Sequence, residues 1–94
     1  MSSFAYINAT VSSTPLSLVT LGFTAAQVAA AGRAIVTSNT NAINATLNGA
    51  IPSATSGHTV QEGTSIQIVG RDDLAAALLV ATGSDATVSI TLQR

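Results

Sequence analysis

Val88, Ile90 and Leu92 alternate with Thr87, Ser89, Thr91 and Gln93 at the end of the chain. A side-chain period of two is that of an extended strand, with aliphatic residues on one face and hydroxyl and amide groups on the other. The same period opens the chain. Ala5, Ile7, Ala9 and Val11 point one way, and Phe4, Tyr6, Asn8 and Thr10 the other. Both faces of this first strand carry apolar groups, so it is either sandwiched or laid on a neighbouring molecule. Residues 1–14 are therefore a candidate docking strand or arm within a single domain spanning 1–94. Phe4, Tyr6 and Ile7 are the candidate protein–protein contacts, the alternative being that they fill the core of their own chain.

The middle of the chain, Asn44 to Ile68, reads as two strands joined by a structured loop. Residues 44–47 run up to Asn48-Gly49, a strong turn pair because Gly accepts positive φ freely and Asn tolerates it. Pro52, Ser53, Thr55, Ser56 and Gly57 are each turn formers. Gly63 closes a further turn into the alternating run Thr64 to Val69, with Ile66 and Ile68 inward. Before this unit, Arg33 to Ser38 carries β-branched residues, and Asn39-Thr40-Asn41 predicts a hairpin into a strand at 42–47.

Helical signals are few. Leu16, Leu18 and Leu21 read as a short strand leading to a turn at Gly22. Thr24 is placed to cap a helix over Ala25–Ala31, with Gly32 where a left-handed C-terminal residue is wanted and Val28 as the large side chain to bury. Arg71 to Ala81 is ambiguous between helix and buried strand. Because consecutive strands usually pair, the expectation is a turn at 71–74, a strand at 76–81 and a hairpin through Gly83-Ser84-Asp85. The fold class expected is all-β: a small antiparallel β-sandwich or barrel-like fold of about six or seven strands, with at most one short helix.

Composition limits function more than fold. Charged residues make up 7% of the 94 residues and the net charge is -1, against about 25% charged in ordinary soluble domains. The cations are Arg33, Arg71 and Arg94, too few for the basic stripe of a nucleic-acid-binding protein. The longest apolar run, Leu74 to Ala81, falls well short of the ~18 residues of a membrane span. MSSFAYINAT does not read as a secretory signal, so synthesis in a cytoplasm, with neither nucleic acid nor membrane as partner, is the expectation. Weak charge also means weak colloidal repulsion, which suits a protein docked into an assembly.

No catalytic constellation emerges. Cysteine is absent and there is one histidine, so thiolate metal sites and hydrolase triads have little to build on. His58 and Glu62 are the one pair that invites a metal or acid–base reading, but three or four converging ligands are normally needed. Neither cofactor, metal nor enzyme activity is expected. Asn8-Ala-Thr10 and Asn44-Ala-Thr46 match a glycosylation pattern and read as chance in an Asn- and Thr-rich chain.

The order of features from Arg33 to Leu92 resembles a group of small β-rich phage and prophage virion structural proteins. The residues that carry the resemblance are the turn at Gly49, Pro52-x-x-Thr55-x-Gly57-His58, Gly63 leading into Ser65-Ile66-Gln67-Ile68, and Gly83-x-Asp85-Ala86-Thr87 before the terminal strand. Members often have an aromatic residue or Arg where this chain has Asn44, Ala45 and Thr46. The resemblance implies a virion part made in the host bacterial cytoplasm, most simply a capsid decoration or cement protein bridging subunits of the major capsid protein. It implies a homo-oligomer as well, with a head-fibre, head–tail connector or tail fitting as variants. A second reading, from a different class, is a virion module that binds host glycan, which needs exposed aromatic faces such as Tyr6 and Phe23 side by side.

Overall fold

The computed structural model describes residues 3–47, 51–53 and 55–94. Eleven elements follow one another: β1 (Ser3–Val11), β2 (Leu16–Ser17), α1 (Leu18–Leu21), α2 (Ala25–Ala30), β3 (Arg33–Thr40), β4 (Ile43–Thr46), β5 (His58–Val60), β6 (Ser65–Val69), α3 (Arg71–Ala76), β7 (Leu78–Ala81) and β8 (Ala86–Gln93). The strands form two four-stranded sheets, ordered β1-β8-β3-β6 and β2-β7-β4-β5, and every pairing is antiparallel. The protein is thus an all-β fold of the sandwich kind, with eight strands and three short helices among the described residues, where about six or seven strands and at most one short helix were expected.

The alternation of β8 sets the core. Val88, Ile90 and Leu92 are fully buried, and they pair in register with Ala9, Ile7 and Ala5 of β1 on one side and with Ser38, Val36 and Ala34 of β3 on the other. Facing them from the second sheet are Ile43, Ala45, Val60 and Leu79, in one continuous cluster. The helices add Leu18, Val28 and Leu74 to that cluster, and the turn between α1 and α2 adds Phe23. Alanine supplies many of the buried positions, so each strand removes modest apolar area per residue. The accessible surface is 4618 Å², close to the ~5,000 Å² that size scaling gives for this mass.

Four expectations about connection are corrected. Asn39–Asn41 is not a hairpin: β3 and β4 lie in different sheets, and Asn41, at φ 63°, carries the chain across. The stretch Asn44–Ile68 is not a strand pair either, because β4 pairs with β5 while β6 pairs with β3. The residues read as a turn at 71–74 form α3 with Leu74 buried, and the strand that follows, β7, pairs with β2 and β4 and not with β8. Leu18 to Leu21 is a helical turn, capped by the Ser17 hydroxyl, which accepts from Thr20 N–H at 3.2 Å. Six of the seven connections between consecutive strands change sheet, and only β4 and β5 are adjacent both in sequence and in space.

The α2 helix follows its sequence signals at one end only. Thr24 and Gln27 form a reciprocal capping box, the side chain of each accepting from the other's backbone N–H at 3.1 and 3.0 Å. At the other end Ala31, in extended conformation, is the C-cap, and Gly32 has no positive φ. Its N–H instead donates to Gln93 O at 2.8 Å, and its carbonyl accepts from Gly70 N–H at 2.9 Å, joining α2 to the end of β8 and the start of α3.

Candidate functional site

The three candidate contact residues are separated by a β-bulge. Register along β1 and β8 runs unbroken from Ala5↔Leu92 to Val11↔Ala86, but slips between Ser3 and Ala5. The extra residue, Phe4, turns from the Tyr6 face to pack against the core. The Arg94 guanidinium lies 4.6 Å from its ring centroid, a cation–π contact. Ile7 also packs inward, its Cδ1 3.4 Å from where a side chain on Gly22 would begin. Tyr6 alone of the three is exposed, at 59%.

Tyr6 belongs to the outer face of the first sheet, which carries hydroxyl and amide groups for the most part, with Ile35 and the exposed Val69 as its aliphatic residues. The Tyr6 hydroxyl donates to Asn8 Oδ1 at 2.8 Å and lies 3.3 Å from Ser89 Oγ. Ser89 donates to Asn8 Oδ1 at 2.7 Å and accepts from Asn39 Nδ2 at 2.6 Å. Further across, the Thr37 and Ser65 hydroxyls share a 2.7 Å bond. At one end of the sheet Arg33 donates to Gln67 at 3.2 Å and Gln93 to Ser3 at 3.1 Å. These bonds follow the register, in which Asn8, Ser89, Thr37 and Ser65 form one row across four strands. Single exposed bonds of this kind contribute little, but a row of them holds side chains in one arrangement.

Residues 51–53 and 55–57, between β4 and β5, are tied to β4. Asn44 is 2% exposed; its Nδ2 donates to Ser53 O at 2.8 Å, and its Oδ1 accepts from the Thr59 hydroxyl at 2.7 Å. Ser53 and Ser56 exchange backbone bonds of 3.0 and 3.3 Å, Pro52 is buried, and Gly57 adopts φ 128° against the β4 backbone. Gly63, at φ 80°, donates to Ser38 O at 2.7 Å as the chain enters β6. Asn48 and Gly49 lie outside the described residues.

His58 and Glu62 do not converge on a metal. His58 pairs in register with Ala45 on β5 and is exposed, whereas the Glu62 carboxylate accepts from Asn41 N–H at 2.9 Å. Among the described residues no three His, Cys, Asp or Glu side chains group together, and no helix is long and apolar enough to cross a membrane. An apolar groove of about 210 Å³ lies between the three helices, lined by Leu18, Val28, Leu74 and Ala29 with Arg71 at its rim.

Fold and surface together define a small two-sheet antiparallel sandwich with a neutral, hydrogen-bonded outer face. Comparison with protein-family models, curated protein sequences and solved structures finds no match to this chain.

Proposed function

We propose that the chain is a structural part of a phage virion, a capsid decoration or cement protein that stabilises the head by bridging capsid subunits. The observation that supports this reading best is the outer face of the first sheet. Its four strands present Tyr6, Asn8, Ser89, Thr37 and Ser65 as a hydrogen-bonded neutral surface, with Arg33 as the charged group at one end. A lattice contact needs a surface whose side chains are already ordered, because each rotamer-rich group immobilised on docking costs about 0.5–1.5 kcal/mol. It also needs little charge to desolvate. The partner is the major capsid protein or another protein of the shell.

The glycan-binding reading draws no support from a paired aromatic face. Phe23 is 3% exposed, inside the core, while Tyr6 is on the outer face, so the two do not share a face.

Rate-zonal sedimentation of particles from the host that encodes the chain tests the proposal. Co-sedimentation with heads, and heads that lose integrity on dilution when the gene is deleted, is the expected outcome. A protein that stays at the top of the gradient while particles form and survive normally would overturn it.

A further inference from the structure

We infer that the outer edge of β1 is a self-association surface, where a second copy of this chain adds its own β1 antiparallel to the first. The inference stands on the edge geometry and is independent of the virion reading.

The two sheets have four edge strands, and three of them are short: β2 has two residues, β5 three and β6 five. Short edges are one of the ordinary ways in which sheet proteins avoid unwanted pairing. The fourth edge, β1, has nine residues and no Lys, Arg, Asp, Glu or Pro among them. Among the described residues its backbone bonds only to β8. Alternate N–H and C=O groups of an edge strand point away from its sheet, and here they are left for a further strand.

The apolar row of β1 is incompletely covered as well. Val88, Ile90 and Leu92 in the middle of the sheet are fully buried, but their register partners Ala9, Ile7 and Ala5 are only half-buried. A strand laid beside β1 covers them.

Charge and symmetry select a second copy as the occupant. Antiparallel pairing of identical edges is closed by a two-fold axis and is therefore self-complementary. Strands without charge meet their own copies with no like-charge opposition. The bulge at Phe4 confines the straight run to Ala5–Val11, whose midpoint is Asn8. Full overlap of two such runs places Asn8 opposite Asn8 of the second copy, and the row Asn8-Ser89-Thr37-Ser65 continues across the axis into an eight-stranded sheet.

Area sets the strength. The seven residues of the straight run extend about 24 Å, and the molecule is 18 Å in its shortest dimension. Contact along that strip buries at most roughly 850 Å² over both copies, under the ~1,000 Å² of a stable specific interface. The dimer is accordingly weak and dependent on concentration.

Light scattering of the purified chain, with Asn8→Lys, Asn8→Asp and Asn8→Thr variants each checked for fold by circular dichroism, tests the inference without any particle present. The expected mass of the parent and of Asn8→Thr rises twofold, from 9.3 kDa toward a dimer, as concentration increases. Asn8→Lys and Asn8→Asp are expected to stay monomeric when alone and to recover the twofold rise when mixed in equal amounts, because opposite charges then face each other at the axis. A parent that stays monomeric throughout, a charged variant that dimerises like the parent, or folded Lys and Asp variants that remain monomeric when mixed would each overturn it.

Discussion

The Thr59 hydroxyl donates to Asn44 Oδ1 at 2.7 Å across the β4–β5 pair, and this bond, with the one from Asn44 Nδ2 to Ser53 O, satisfies both ends of a buried amide. Ser53 and the start of β5 are thereby fastened to a strand whose four residues are all buried. Asn44→Ala loses both bonds, at a net of about 0.5–1.5 kcal/mol each, while its partners, on the exposed residues Thr59 and Ser53, turn to water. Thr59→Val removes one bond and should cost less. Thermal unfolding measures both, at roughly 4–8 °C per kcal/mol for a domain of this size, and the double variant should fall short of the sum.

Gly57 is the second anchor to β4. A Cβ there would lie 3.1 Å from Ala45 O and 3.2 Å from Asn44 Cβ, at a φ of 128°. Gly57→Ala therefore meets a backbone conformation closed to L-residues and a contact with backbone that cannot move aside, with an expected loss of about 1–3 kcal/mol. Gly63, at φ 80°, has open space around the same atom. Gly63→Asn should cost about 1 kcal/mol or less, since Asn accepts the left-handed region. Denaturant midpoints of the two variants, compared at constant m-value, give the contrast.

Asn41 holds the crossing from one sheet to the other. Its φ is 63°; its N–H donates to Glu62, its Nδ2 to Asp85 O at 2.9 Å, and its carbonyl accepts from the Ser38 hydroxyl. Asn41→Gly keeps the conformation and loses the side-chain bond, an expected cost of about 1 kcal/mol. Asn41→Val loses the bond and adds a β-branched residue at positive φ, for a further ~1–2 kcal/mol. Equal stabilities for the two in chemical denaturation would show that the conformation at Asn41 carries no strain.

Removal of residues 1–11 distinguishes an arm from an integral strand. A separable arm would leave a soluble remainder. In the structure β1 pairs with β8 along its whole length, and Val11 is fully buried. Truncation strips the central strand of one neighbour and uncovers Ile90 and Leu92, so the expected product is unfolded or aggregated by circular dichroism and sedimentation.

The strands themselves were legible in the sequence where one face is buried and the other wet. β8 and β6 show a period of two, and their inward residues Ile90 and Ile68 are fully buried; β3 was legible from its β-branched residues, although Ile35 lies on its outer face and Val36 on its inner one. β4 alternates too, with Ile43 and Ala45 in the core cluster, but its other face, Asn44 and Thr46, is also covered, which the polar residues there did not announce. The connections were not legible, because a polar break such as Asn39–Asn41 or Gly83–Asp85 serves equally for a hairpin within a sheet and for a crossing between sheets. What decides is the partner strand, far away in sequence. The ambiguous run from Arg71 was both things in turn, a helix through Ala76 and then a strand from Leu78. Of the candidate contact residues, Phe4 and Tyr6 share a parity in the sequence, and only the bulge between Ser3 and Ala5 parts them.

Residue-resolved amide hydrogen exchange along β1, at low and at high protein concentration, tests most directly whether this strand is integral to its own sheet and still offers an edge. In dilute solution alternate amides of Ala5–Val11 should be protected by β8 and the others should exchange freely. Raising the concentration should protect the free set, as a second β1 pairs with it. Exchange at solvent rates along the whole strand in dilute solution, or alternation that persists unchanged at high concentration, would contradict the result expected.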